Sequence, residues 1–269
     1  MNIIVCVKQV PDTTNIRMDP ETHTLVRSGA ATTLNPFDKY ALEAALLLKD
    51  AYGGTVTAVT MGPSSAADVL RECYALGADR MVLVSDRLFG GSDTYATGYI
   101  LSQAIRYIGE YDLIICGKQA IDGDTAQVGP QIAEHLGLPQ LTYVSEVCSC
   151  DSSVTAIREL DCRYEKVSAS LPALLTVVKN PHEIRLPNVV RRLKANRTEP
   201  ELIDHEKLCE LDLSYIGLKG SPTKVKSIFK PSHRKNTVMI DGSRADIAAQ
   251  KLLELLETEK KINLSEARL

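Results

Sequence analysis

Apolar residues fall into two alternating patterns along the first half of this chain. Runs with little polar interruption occupy residues 2–7, 55–61, 81–84 and 113–116. Such runs predict strands buried on both faces. Between them, apolar positions recur every three or four residues, the spacing of an amphipathic helix. The first helix starts strongly, with Asn35 suited to the N-cap and Pro36 to the first helical position. Phe37, Tyr40, Ala41, Ala44, Leu47 and Leu48 form its expected core stripe, and Gly53-Gly54 stops it. A second helix is expected from Ser64 or Ser65, with Ala67, Leu70 and Tyr74 on one face, ending at Gly77. A third runs from a Ser92-Asp93 cap through Ala96, Ile100, Ala104 and Ile108 to Gly109. The fourth is expected to begin at Thr125 and carry Val128, Ile132, Ala133 and Leu136 to Gly137. Strand and helix in alternation imply right-handed crossovers and a mostly parallel sheet with helices on both faces.

After residue 141 the pattern changes. Residues 142–149, 154–160, 163–170 and 173–178 have no helical repeat between them, and Asp151-Ser152-Ser153 and Asp161-Cys162 suit tight turns. An antiparallel extension of the same sheet is expected. The reading divides the chain into an α/β domain over 1–190, an extended segment over 191–232, and a C-terminal arm over 233–269. That arm carries an amphipathic helix near 243–260, with Ile247, Leu252, Leu253, Leu255 and Leu256. Residues 12–33 are polar, with a turn expected at 19–24.

Composition narrows the function classes. With 44% hydrophobic and 24% charged residues the chain is globular, and a net charge of -3 argues against nucleic acid as its main partner. No apolar run approaches the roughly 18 residues of a membrane helix. The first residues lack a basic leader and read as a strand, so a cytoplasmic location is expected. Seven cysteines, an odd number, fit reducing surroundings better than a disulfide framework. Cys148-Ser149-Cys150 lacks the spacing of a metal site, and the five histidines form no ligand pattern.

The candidate chemistry lies after the strand at 113–116. Gly117, Lys118, Gln119, Ala120 and Ile121 lead into Asp122-Gly123-Asp124-Thr125-Ala126-Gln127-Val128-Gly129. A strand, a small-residue loop and a helix start form a ligand site at the carboxyl edge of an open sheet. Gly123 and Gly129 would admit close backbone approach, and the amides at 125–128 would face a phosphate. The plain alternative is a turn and an N-cap. No Gly-x-Gly-x-x-Gly follows the first strand and no P-loop occurs, so an ordinary Rossmann or P-loop site is disfavoured.

Several stretches together carry a family resemblance. They are Val7-Lys8-Gln9-Val10-Pro11-Asp12, Leu34-Asn35-Pro36-Phe37-Asp38, Gly77-Ala78-Asp79-Arg80 and Gly117 through Asp124. Ile157-Arg158-Glu159-Leu160-Asp161, Leu171-Pro172-Ala173 and Leu186-Pro187-Asn188 belong to the same set. In this order they resemble the β (small) subunit of an electron-transfer flavoprotein, over nearly the whole chain.

The resemblance implies an adenine-nucleotide α-hydrolase-like fold. It also implies a larger α subunit carrying FAD and an adenylate site in this chain holding AMP or a second FAD. The contacts it implies are Cys6, Asn35, Met61, Asp122 and residues Thr125, Ala126, Gln127 and Val128. Val7, Lys8 and Gly62 at the strand ends, and Gly117, Gln119, Gly123, Asp124 and Gly129 around the loop, complete the set. Asn35 is expected to spare its amide for the ligand. Gly90, Asp93, Thr94 and Thr97 bear on AMP against FAD, because this stretch resembles the electron-bifurcating members; its plain reading is an N-cap and two exposed threonines. If FAD is held here, the resemblance implies NADH as donor, ferredoxin or flavodoxin as one acceptor, and an acyl-CoA or lactate dehydrogenase as the other partner. No catalytic side chain is implied. Leu186, Pro187, Asn188 and Val189, near 184–192, match the family's partner-recognition loop; a solvated basic linker is the alternative. A structural AMP site, or an adenine-nucleotide module without redox work, remains open.

Overall fold

The computed structural model describes residues 1–12, 17–18, 25–26, 31–150, 152–226 and 238–258, with the backbone alone at 17–18, 25–26 and 149–150. The elements, numbered along the chain, begin with β1 (Asn2–Cys6), β2 (Gln9–Pro11), β3 (Arg17–Met18), β4 (Leu25–Val26), β5 (Thr32–Leu34), α1 (Pro36–Tyr52) and β6 (Thr55–Met61). Next come α2 (Ala67–Leu76), β7 (Arg80–Val84), α3 (Thr94–Ile108), β8 (Leu113–Gly117) and α4 (Val128–Leu136). Then follow β9 (Gln140–Cys150), β10 (Ser153–Leu160), β11 (Arg163–Ser170), β12 (Ala173–Val177), α5 (Val189–Ala195), β13 (Glu201–Ile203), α6 (Gly217–Gly220) and α7 (Ala245–Thr258).

One nine-stranded sheet has the order β11-β10-β9-β12-β8-β1-β6-β7-β13. Pairing is parallel from β9 through β12, β8, β1, β6 and β7 to β13, and antiparallel across β9, β10 and β11. The expected α/β class therefore holds. β1 alternates its side chains between two cores: Ile3 and Val5 face Leu42, Leu46, Leu70 and Cys73 of α1 and α2. Ile4 and Cys6 face Ile100 and Ala104 of α3 and Ile132 and Ala133 of α4.

Two details differ from the sequence reading. β12 does not extend the antiparallel part; it inserts between β8 and β9, parallel to both. All five of its residues are buried, as a strand covered on both faces requires. The half-buried strands β10 and β11 alternate instead, as a one-sided sheet does. The buried face of α1 carries Asp38, Ala41, Leu42, Glu43, Ala45, Leu46 and Leu48. It is rotated from the expected stripe, because Ala44 and Leu47 turn to a 230 Å³ hollow between α1 and β9. The stretch Ile157 to Leu160 pairs with β11, Leu160 opposite Arg163 and Ile157 opposite Lys166, and Arg158 also donates to Thr142 O at 2.8 Å and approaches Glu165 at 3.6 Å.

Two compact units divide the chain, residues 1–228 and 229–269. Within the first, residues 191–226 are not simply extended: α5 packs on α2, β13 closes one sheet edge, and a 3₁₀ turn (Leu213–Tyr215) precedes α6. In the second, α7 has no buried residue, and Ile247, Leu252 and Leu253 are exposed. The turn expected at 19–24 lies outside the described residues. No described helix is long and apolar enough to cross a membrane.

Placing β12 in the sheet centre has an energetic consequence. Leu174 is fully buried against α3 and α4. Leu174→Ala is expected to cost about 2–5 kcal/mol in denaturant unfolding; a loss near that of an exposed edge residue would contradict the topology.

Candidate functional site

The chain adds β6 and β7 to one side of β1 and β8 to the other. The connections on the two sides of β1 lie on opposite faces, so a crevice opens beyond the carboxyl ends of β1 and β8. This is the topological switch point at which open α/β sheets hold ligands.

Two anchors shape the crevice from behind. Asn35 is buried at the start of α1, yet its side chain makes no cap hydrogen bond. Its Nδ2 donates to Gln119 O at 2.8 Å, and its Oδ1 accepts from Ile121 N at 3.2 Å. The expected spare amide is thus engaged in pinning the loop after β8. Asp38 Oδ2 accepts from Lys8 N at 2.7 Å. Burial pushes the Asp38 carboxyl up to about 7, against the bonds from Asn35, Lys8 and Gly117 that lower it. On the front, Lys8 Nζ meets both carboxylate oxygens of Asp122, at 2.7 and 2.8 Å. Gln119 Nε2 donates to Asp124 Oδ1.

The loop itself departs from the expected helix start. α4 begins at Val128, not Thr125. The reason is backbone shape: Asp124 and Ala126 both have φ 53°, while Gln127 is right-handed at φ -104°, ψ -30°. Left- and right-handed residues in succession fold successive amides toward one point, an anion-binding nest. The amides of residues 125–129, five in a row, donate to no acceptor among the described residues. An unpaired helix N-terminus extends the nest, and its dipole favours negative charge. Gly123 has open space on its side-chain side. Gly129 has not: a Cβ there would lie 2.7 Å from Thr176 Cγ2, so its glycine serves packing of α4 on β12 rather than ligand approach.

The second stretch meets this loop. Thr94 Oγ1 donates to Gln127 Oε1 at 2.9 Å. Asp93 caps α3, its Oδ1 accepting from Ala96 N at 3.1 Å. Its other oxygen is taken by Thr223, from N at 2.9 Å and Oγ1 at 2.7 Å, and its own N donates to Ser221 Oγ at 2.8 Å. These bonds hold the Asp93 carboxyl below its ordinary range despite partial burial. Thr97 is half-buried one turn after Thr94, and Gly90 precedes the cap. Cys6 and Cys116 are in register on β1 and β8 and buried; their contact and burial push the Cys116 thiol well up. Val7 N bonds Val59 O, and Gly62 N bonds Val84 O beside the half-buried Met61, so these strand-end amides are already paired.

Leu186, Pro187, Asn188 and Val189 sit apart from the crevice. Arg185 is clamped by Glu43 at 3.0 Å and Asp50 at 2.8 Å on α1. Asn188 caps α5, and Arg191 stacks 4.8 Å from the Tyr74 ring. Between these anchors Leu186 is 89% exposed and Val189 73%. The anchors Asp38, Glu43, Ser221 and Thr223 escaped the sequence reading. Asp38 stood in a quoted motif, but nothing local distinguishes it from an ordinary first-turn acid.

Comparison with known proteins follows this geometry. The family model described as Electron transfer flavoprotein domain matches residues 22–204. The electron transfer flavoprotein subunit beta of Megasphaera elsdenii is 46% identical over 269 residues, 97% of this chain and 99% of the relative. Protein FixA of Azorhizobium caulinodans is 45% identical, over 97% and 96% of the two chains. Subunit CarD of the caffeyl-CoA reductase-Etf complex of Acetobacterium woodii is 43% identical, over 96% and 98%.

The pinned loop yields a local test. Asn35→Ala is expected to leave Gln119 O and Ile121 N unpaired, at about 1–3 kcal/mol. Amide exchange at Ile121 should then speed while exchange in β1 does not; equal protection in the variant would show that Asn35 does not hold the loop.

Proposed function

Because this chain belongs to the electron transfer flavoprotein family, as a β subunit, we propose that its strand-end crevice binds FAD and that it works as half of an electron-bifurcating αβ pair. The observation that carries this reading is the row of five unpaired amides at residues 125–129, joined through Gln127 to Thr94. A pyrophosphate matches that donor set, since amides and a helix terminus hold phosphate without a lysine. Cys6, Val7 and Met61 line the strand ends against which adenine would lie. The Lys8–Asp122 pair, held on the rim, offers carboxylate oxygens to ribose hydroxyls. Thr94 and Thr97 lie three apart on one helix face and offer hydroxyls to a ribityl chain or pyrophosphate.

Bound there, FAD would accept a hydride from NADH and divide two electrons between a ferredoxin or flavodoxin and, through the α-subunit flavin, an acyl-CoA or lactate dehydrogenase. The chain's own residues need supply no acid or base; they place the cofactor and set its surroundings. The naming of one relative as a subunit of a caffeyl-CoA reductase-Etf complex favours a partner acting on acyl-CoA. The exposed Leu186, fixed between Arg185 and α5, is the anchor proposed for that dehydrogenase. α7, with its exposed Ile247, Leu252 and Leu253, is proposed to dock on the α subunit.

A second reading, a non-bifurcating subunit with structural AMP, draws on Asp93. Its carboxylate is already bonded to Thr223 and Ala96, which leaves fewer groups for a flavin. Acid-released cofactors of the copurified αβ pair distinguish the two. Two FAD per pair are expected; one FAD with one AMP would overturn the bifurcating reading. Leu186→Ala should weaken docking by about 2 kcal/mol, some thirty-fold in apparent affinity for the partner dehydrogenase. An unchanged rate of dehydrogenase reduction at limiting partner concentration would remove the anchor.

A further inference from the structure

We propose that Asp38 is a positioning residue for the nucleotide site: its carboxylate holds the ends of β1 and β8 at the spacing from which the loop beyond β8 presents its amides. The inference rests on the nucleotide reading above, which assigns Asp38 no part.

Asp38 is the third residue of α1 and lies 5% exposed behind the crevice. Lys8 N, just beyond β1, donates to its Oδ2 at 2.7 Å. The Gly117 amide, at the end of β8, and the Asn35 side chain lie against the same carboxyl and favour its charged form. Gly117 comes so close that any side chain on it would strike Asp38 Oδ1. One carboxylate therefore touches both strands that flank the switch point, bonded to Lys8 beyond β1 and packed on Gly117 of β8. Its neighbours carry the constraint outward: Asn35 to Gln119 and Ile121, and Lys8 to Asp122.

The charged and titratable groups around it do not neutralise it. Lys8 Nζ is paired with Asp122, and Lys39 with Glu72 at 3.2 Å. The thiols of Cys73 on α2 and Cys116 on β8 are pushed up by burial and by each one's neighbours, so both stay neutral. Asp124 is engaged by Gln119. Burial outweighs the neighbouring donors and the Lys8 charge and pushes the carboxyl up to about 7. Because that lies above the ordinary carboxylate value of 3.8, Asp38 makes folding less favourable as pH rises from one value to the other. An asparagine of the same shape would avoid this penalty. Protonation would turn an O–H toward N–H donors, and one strand-end bond would be lost.

FAD uptake by the cofactor-stripped αβ complex, wild type and Asp38→Asn, tests this between about pH 6 and pH 8. FAD is the probe because its pyrophosphate does not titrate there, whereas the AMP monophosphate does, near about 6. The wild type is expected to lose about tenfold in affinity at the β-chain site from the alkaline to the acid limit, and Asp38→Asn to bind weakly at every pH. Asp38→Asn binding as tightly as the wild type, with the same pH slope, would overturn the proposal. Normal FAD uptake with no pH dependence in either protein would overturn it alone; no FAD or AMP uptake by the wild-type β chain would overturn the nucleotide reading with it. Should the variant fail to fold, amide exchange of the wild-type loop 119–127, corrected for intrinsic pH dependence, gives a second readout. Faster opening at the acid limit supports the role of Asp38, and unchanged protection contradicts it.

Discussion

The seam between β1 and β8 is the constraint on which the rest of the site depends. There the sheet reverses the direction in which it adds strands, so no crossover covers the carboxyl end. Closing the seam too tightly would leave no room for a ligand, and leaving it loose would let the following loop wander. Buried polar groups solve this in place of an apolar plug. Asp38 is bonded at one strand end and packed against the other, and Asn35 pins the loop beyond them. Both come from the first turn of α1, so a single helix start sets the back wall of the crevice.

The front of the crevice is built from backbone. Among the described residues, five amides find no acceptor where the chain alternates between left- and right-handed conformations before α4. Left-handed backbone at Asp124 and Ala126 costs of order 1 kcal/mol each in a residue with a Cβ. Gln119 and Asn35 hold that conformation from two sides. Across the gap, Ser221 and Thr223 fix Asp93 and hence the start of α3. In each case a side chain remote in sequence orders the backbone, and the backbone presents the donors.

How much of this was legible in the sequence depended on range. β1, β6 and β8 read directly, because strands buried on both faces are rich in apolar and β-branched residues. β12 carried the same signal, Ala-Leu-Leu-Thr-Val, but its place between β8 and β9 depends on which neighbours it finds, which no local pattern records. Thr125 looked like a helix cap because its residue type suits one; the left-handed Ala126 that delays the helix has no residue signature. The 94–97 and 122–129 stretches were both read as bearing on one nucleotide, and the Thr94–Gln127 bond joins them. Asp38, Ser221 and Thr223 remained hidden because their partners lie 30 to 130 residues away.

The account's central claim is that the amides of residues 125–129 receive the phosphates of a bound nucleotide. A structure of the αβ complex with its native cofactor tests it most directly. Phosphate oxygens are expected within about 2.7–3.2 Å of several of these five nitrogens. A nucleotide seated elsewhere in this chain, with the same amides facing only water, would contradict the account.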